Sequence, residues 1–335
     1  MLARMQVCLP KKEAMPLTNA NEPTRHIMAA TVAASIAAWP HVGTGDKMAV
    51  DGAAVDAMRA SLSNAAFGGI VIIGEGEKDE APMLFNGELI GHPDYHLDLV
   101  EWDIAVDPVD GTRLAAEGIP GAVAVMAAAE RGSMLESSEV YMMKKIVSGP
   151  AGRGVLDIDA RPAQNIAALA KALDKPIDQI RVAVINKARN FELIAEVQET
   201  GAQWVRFDEG DIAMAVAAAT PGSGVDLLLG VGGSPEGVVA AVAVRILGGF
   251  MQTRFAPQDA DQIERALAAG YDLEAKFGLD ELVSGERLIF VLTGITDGVL
   301  AQGIRKTEND KLELQTFILD SALDGPRIIE VTLGT

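Results

Sequence analysis

Two carboxylates, Asp107 and Asp110, stand three residues apart in the run Asp107-Pro108-Val109-Asp110-Gly111-Thr112-Arg113. Mg²⁺ and Mn²⁺ are hard cations that take oxygen ligands, so paired acids at an element end suit a divalent metal. Gly111 lets the backbone approach a ligand closely, and the N–H groups around Gly111, Thr112 and Arg113 offer a seat for phosphate. The same residue types also make an ordinary Asp-Pro turn with a solvated carboxylate. Further acids at expected element ends are Asp51, Glu75 and Glu236. Each alone reads as a surface group or helix cap. With Asp107 and Asp110 they supply oxygens for two or more divalent ions, which polarise a phosphoryl oxygen, make hydroxide from bound water and neutralise a leaving group. Thr112 then stands beside the phosphorus, its hydroxyl orienting the attacking water. Lys47 and Asp79 are candidates for positioning and proton transfer, although Lys47 also reads as the helix-face partner of Asp51, four residues on.

The elements that must hold these groups follow from periodicity. Val100, Trp102, Ile104 and Val106 alternate with polar or small residues, a strand that ends at the acidic pair. The apolar run 69–73 is a buried strand entering Gly74-Glu75-Gly76-Glu77. Helices are expected from Asn21-Glu22-Pro23 to about Trp39, and from Lys47 to Leu62 with Val50, Ala54, Met58 and Leu62 buried. Strands at 121–129 and 140–147 complete a first half read as helices on a mixed or antiparallel sheet. From Arg181 strands alternate with helices: 182–185 with 191–199, 204–207 with 211–219, and 225–229 with 235–247. That order predicts a parallel sheet with ligands beyond its carboxyl ends. The three strand ends carry Asn186-Lys187-Ala188-Arg189, Asp208-Glu209-Gly210-Asp211 and Gly232-Gly233-Ser234-Pro235-Glu236. A long helix over 259–277 and strands at 288–292, 316–319 and 328–333 follow. The expected organisation is a loose arm over 1–20, a metal and phosphate subdomain over 21–160, a sugar-phosphate subdomain over 161–280, and strands over 281–335 returning to the first sheet.

Lys187 and Arg189 suit a second anion, because a guanidinium forms forked hydrogen bonds to phosphate oxygens. Cations at a helix start oppose the macrodipole, which disfavours a purely structural role for them. The Gly233–Glu236 turn opens a helix with proline in its first turn, so its N–H groups can meet an anion or a sugar hydroxyl.

Bulk properties narrow the class. The 335 residues suffice for about two domains. With 47 acidic and 28 basic residues the formal charge is −19, which argues against nucleic acid and anionic membrane as partners and demands a local reversal of field around any phosphate. Cys8 is the single cysteine, so no intrachain disulfide or zinc-thiolate site can form. No signal peptide is legible and the uncharged stretch 26–45 is broken by Pro40, so a cytoplasmic protein is expected. Pro235 stands where a dinucleotide fingerprint needs glycine, no phosphate-loop motif occurs, and the four histidines lack metalloprotease spacing.

Taken together, the strand leading into Asp-Pro-Val-Asp-Gly-Thr and the upstream Gly74-Glu75-Gly76-Glu77 resemble the metal-dependent, lithium-sensitive sugar phosphatase superfamily. Gly45-Asp46-Lys47, Asp51–Val55, Ile73–Leu84, Asp103–Arg113, Tyr141-Met142, Gly233–Gly237 and Thr293–Thr296 resemble class II fructose-1,6-bisphosphatases, in the same order over roughly residues 45 to 305. The resemblance implies a layered α-β-α-β-α fold, a mixed N-terminal sheet with a smaller parallel C-terminal one, and metal-dependent hydrolysis of the 1-phosphate of fructose 1,6-bisphosphate. It implies Mn²⁺ or Mg²⁺ held by Asp51 and Glu75 and by Asp107, Asp110 and Glu236. Asp110, Gly111 and Thr112 would meet the reacting phosphate, with Lys47, Asp79 and Thr112 needed for activity. Tyr141, Lys187, Ala188, Arg189, Glu209, Gly210, Asp211 and Gly233 would contact the sugar and its distal phosphate. A homo-oligomer, dimer or tetramer, is expected. Glu209-Gly210-Asp211 departs from the Asp-Gly-Asp of the family, and Asn190 stands where histidine is common; both changes are expected to touch sugar recognition. The alternatives are a dual fructose-1,6-/sedoheptulose-1,7-bisphosphatase, an inositol-type monophosphatase, which Lys187 and Arg189 disfavour, and a non-catalytic sugar-phosphate sensor.

Overall fold

The computed structural model describes residues 22–74, 84–92, 100–137 and 140–334. The arm over 1–20, Glu75 and Asp79 lie outside the described residues.

Helix α1 (Glu22–Ala38) and helix α2 (Lys47–Leu62) pack together on one face of the larger sheet. Asp46 starts α2 by accepting the Ala49 N–H at 3.0 Å, and Val50, Ala54, Met58 and Leu62 form its buried stripe. The larger sheet contains β1 (Gly68–Ile73), β2 (Leu89–Ile90), β3 (Val100–Asp110), β4 (Val123–Glu130), β10 (Leu288–Gly294), β11 (Arg305–Lys306), β12 (Leu312–Asp320) and β13 (Arg327–Leu333). Its order is β11-β12-β10-β4-β3-β1-β2, with β13 also on β12. Among the described residues only β1 and β3 run parallel in this sheet; the other pairs are antiparallel.

The smaller sheet has the order β7-β6-β8-β5-β9, from β5 (Met142–Ser148), β6 (Arg181–Ile185), β7 (Gln203–Phe207), β8 (Leu227–Gly233) and β9 (Phe250–Phe255). The strands of the β-α run, β6, β7 and β8, pair parallel as expected. The sheet as a whole is nevertheless mixed, because β5 and β9 add to β8 antiparallel. Strand β5, read with the first half of the chain, therefore belongs to the second sheet: it crosses over once the first sheet edge at β4 is taken by β10.

Between the sheets lie α6 (Asp211–Ala219) and α7 (Ser234–Ile246). A helix covered on both sides must be apolar all round and thin, and both consist largely of buried Ala, Val and Gly. They share one core with Ala105, Val123, Val125 and Phe290 of the larger sheet and Val147, Ala183 and Leu228 of the smaller. α4 (Pro162–Leu173) and α5 (Phe191–Glu199) cover the far face of the smaller sheet. The result is five layers, α-β-α-β-α. The helix expected over 259–277 is α8 (Ala260–Ala268) alone, stopped where Gly270 turns to a φ of +85°. Among the described residues no helix is long and apolar enough to cross a membrane.

Candidate active site

Strand β3 does not end before the acidic pair but runs through it. Asp107 pairs with Val125 and Asp110 with Val123, so three steps on β3 answer two on β4. That is a β-bulge, with Pro108, which has no N–H to donate, as the extra residue. Carboxylates three apart on a regular strand point to opposite faces. Here the bulge restores the parity, and Asp107 and Asp110 share the face of Val123 and Val125, toward the middle helices. Gly111 follows at a φ of +91°, a left-handed turn that costs an L side chain, and starts the short α3 (Thr112–Glu117).

Most predicted site residues converge. Lys47, Asp107, Asp110, Gly111, Thr112, Tyr141, Arg189, Glu209, Gly210, Asp211, Gly233 and Glu236 line one cavity of about 490 Å³ at the junction of the two sheets. An adjoining cavity of about 240 Å³ shares Asp107 and Glu236 and reaches Gly74 at the end of β1. Lys187, Ala188 and Asp51 do not line the larger cavity. Lys187 Nζ stands 3.9 Å from Glu209 Oε1.

The acid wall is buried and self-repelling. Asp110 is 6% exposed, and its Oδ2 accepts the Ile212 N–H at 3.1 Å at the start of α6. Burial pushes its carboxyl up to about 8, with the charges of Glu236 and Asp211 adding to the rise. Burial also raises Glu236 and Asp51. Glu236 Oε2 and Asp51 Oδ1 are buried without a hydrogen-bond partner among the described residues. Asp107 Oδ1 accepts the Val109 N–H at 3.0 Å, which pins the bulge. Among the described residues no three acidic, histidine or cysteine side chains converge as a finished ligand set. Orphaned, desolvated carboxylate oxygens are nonetheless what a hard divalent cation satisfies, and in donor chemistry these residues fit one.

Several roles change in the structure. The Arg113 N–H, expected to be available to phosphate, donates to Glu209 Oε2 at 3.2 Å. The Arg113 guanidinium also grips Glu209, at 2.9 Å, and Glu117, at 2.9 Å. Glu209 is thus a clamp between the acidic turn of β3 and the loop before α6. Asn190, expected at the sugar, is buried: its amide accepts the Val231 N–H at 2.8 Å and donates to the Val231 carbonyl at 3.0 Å. It braces β8, whose Val231 carbonyl also receives Arg189 Nε at 2.8 Å. The Thr112 hydroxyl donates to the Val109 carbonyl at 3.1 Å.

Sequence reasoning missed Lys145. It lies on β5 at 2% exposure, ion-paired with Asp211 and donating to the Gly233 carbonyl at 2.9 Å. A signal existed: Met143, Lys145 and Val147 alternate on one strand face, and a lysine between two apolar residues there needs a buried partner.

Residues 22–332 match the family described as bacterial fructose-1,6-bisphosphatase, glpX-encoded. A fructose-1,6-bisphosphatase 2 class 2 from Escherichia coli (strain K12) is 40% identical over 313 residues, 90% of this chain and 96% of that one. A D-fructose 1,6-bisphosphatase class 2/sedoheptulose 1,7-bisphosphatase from Thermosynechococcus vestitus is 38% identical over 294 residues, 81% of this chain and 84% of that one. A fructose-1,6-bisphosphatase class 2 from Haemophilus influenzae is 39% identical over 292 residues, 83% of this chain and 86% of that one. With the five-layer fold and the cavity at its sheet junction, these matches over nearly the whole described chain establish that the protein belongs to the bacterial class 2 fructose-1,6-bisphosphatase family.

Proposed function

We propose that the chain hydrolyses the 1-phosphate of fructose 1,6-bisphosphate, releasing fructose 6-phosphate and inorganic phosphate, with Mg²⁺ or Mn²⁺ as cofactor. The observation that carries this reading is one cavity with an acid wall, Asp107 and the desolvated Asp110 and Glu236, and a guanidinium, Arg189, on its lining. In a chain of net charge −19, such cations are the local reversal a bisphosphate requires. Asp107, Asp110 and Glu236, with Asp51 and with Glu75 outside the described residues, would hold the divalent ions, which when bound polarise the phosphoryl group and acidify a water.

The remaining work falls to the chain. Because the Thr112 hydroxyl spends its proton on Val109, its lone pairs accept from an attacking water and aim that oxygen at phosphorus. The left-handed Gly111 allows the phosphate to approach the backbone. Lys47, on the cavity wall, is proposed to neutralise the departing oxygen, and Asp79 remains a proposed partner in proton transfer. Arg189 commits Nε to Val231, leaving its terminal nitrogens to fork onto the distal phosphate, with Lys187 and the Ala188 backbone beside it. Tyr141, Gly210, Asp211 and Gly233 meet the sugar, and Glu209 acts through the Arg113 clamp.

Phosphate release from fructose 1,6-bisphosphate is measured with Mn²⁺ or Mg²⁺ and with EDTA. Sedoheptulose 1,7-bisphosphate, favoured as a second substrate by the dual name of one relative, and inositol 1-phosphate run alongside. Metal-dependent release from the bisphosphates alone is expected. Release only from the monoester discards the distal-phosphate site, and binding without turnover turns the reading to a sensor.

A further inference from the structure

We propose that Lys145 is a positioning residue for the sugar end of the cavity, acting from behind it through Asp211 and Gly233. The inference rests on the reading of those two residues as sugar contacts. Lys145 projects from the centre of β5, opposite Gly230 of β8 and Thr253 of β9. Its ammonium is ion-paired with Asp211, at the first turn of α6, and donates to the carbonyl of Gly233, the last residue of β8. Asp211 and Gly233 line the cavity and Lys145 does not. One buried cation therefore ties together two cavity segments that arrive from different elements.

The surroundings are shaped for it. A Cβ on Gly232 would strike the Asp211 carboxylate and come within 3.0 Å of the ammonium. A Cβ on Gly237 would strike Met143 and come within 3.4 Å of the Lys145 stem. A Cβ on Gly233 would strike Glu236, so the turn that Lys145 holds is the one that seats that acid. Without the ammonium, Asp211 stands uncompensated beside Asp110 and Glu236 and the Gly233 carbonyl loses its donor. A sugar hydroxyl then meets an acceptor and a backbone turn no longer held in register.

Four variants test this: Lys145→Met, Lys145→Arg, Asp211→Asn and the double variant Lys145→Met/Asp211→Asn. Steady-state kinetics on fructose 1,6-bisphosphate are read beside the Mn²⁺ activation constant, thermal unfolding, and calorimetric binding of fructose 6-phosphate. Lys145→Met should raise KM about tenfold or more, with kcat changed less than about threefold. Fructose 6-phosphate binding should weaken by the same factor, and the Mn²⁺ constant, which reports the seat of Glu236, should rise by less. Lys145→Arg should recover part of the lost affinity. The double variant should bind no worse than Asp211→Asn alone, because the lysine works through that carboxylate. This comparison stands even where Lys145→Met by itself unfolds, since the neutral pair removes the unpaired buried charge. An unchanged KM in a folded Lys145→Met, or independent additive losses in the double variant, overturns the proposal. A wild type that binds fructose 6-phosphate without releasing phosphate from the bisphosphate refutes the proposed hydrolysis instead, and leaves the binding comparison to decide the role of Lys145.

Discussion

Asp110→Asn offers the sharpest separation of stability from catalysis. The amide is nearly isosteric and its oxygen can still accept the Ile212 N–H, but the charge that Glu236 and Asp211 oppose is gone. In the folded, metal-free protein the Asp110 carboxyl is pushed up to about 8, well above its value of 3.8 in an open chain. A folded pKa above the unfolded one means the native state holds the proton longer. The stabilisation is complete below about pH 4 and is lost as pH rises through about 8. Between pH 5.5 and 8 the loss runs at about 1.4 kcal/mol per pH unit, or about 3 kcal/mol from this one group. Urea unfolding in EDTA at the two pH values should show that fall in the wild type and a shallower one in Asp110→Asn. What slope remains in the variant comes from Glu236 and Asp51, which burial shifts in the same direction. At pH 8 the metal-free variant should be the more stable protein, while its turnover with Mn²⁺ drops by about a hundredfold or more. A variant less stable than wild type at pH 8, or a wild type whose metal-free stability is flat over the window, refutes the account of the acid wall.

Three further outcomes follow from the same geometry. Arg189→Lys removes the forked donor while keeping charge, and should raise KM for the bisphosphate about tenfold with kcat largely kept; equal KM values would remove Arg189 from the distal-phosphate site. Asn190→Ala leaves the Val231 N–H without its acceptor, while the Val231 carbonyl keeps Arg189, and should cost about 1–2 kcal/mol in chemical unfolding; a cost under about 0.5 kcal/mol would contradict the bracing role. Gly233→Ala drives a methyl into Glu236, so the folded variant should need more Mn²⁺ for half-maximal activity, and an unchanged requirement would detach Glu236 from the metal.

Much of this architecture is legible in the chain because its signals are local. The α2 bounds, Lys47–Leu62, follow from a capping aspartate and a four-residue apolar stripe, and α5 and α6 from strand-helix alternation. What periodicity cannot carry is pairing across distance. Nothing near β5 says that β10, more than a hundred residues on, has taken the place beside β4. The site shows the same division. Residue types named Asp107, Asp110 and Glu236, but the diversion of the Arg113 N–H to Glu209 depends on a loop that arrives from the second sheet. Lys145 shows the limit differently: strand alternation puts it on the face opposite the exposed Lys144, but its partners Asp211 and Gly233 come from elements far along the chain.

The bulge at Pro108 makes the arrangement of the two acids a matter of chain length as well as of residue identity. Removing one residue between Asp107 and Asp110 would let β3 and β4 zip into a regular ladder; the acids would then stand two apart, still on one face, but with Gly111 and α3 dragged a step into the sheet. Inserting one would instead turn Asp110 to the opposite side, among the apolar residues beneath α1 and α2. Both altered chains retain every acid, threonine and glycine of the motif. Homologues that look intact by composition but differ by a single residue here should accordingly be read as frame-shifted in space, and a loss of activity in them needs no missing side chain to explain it.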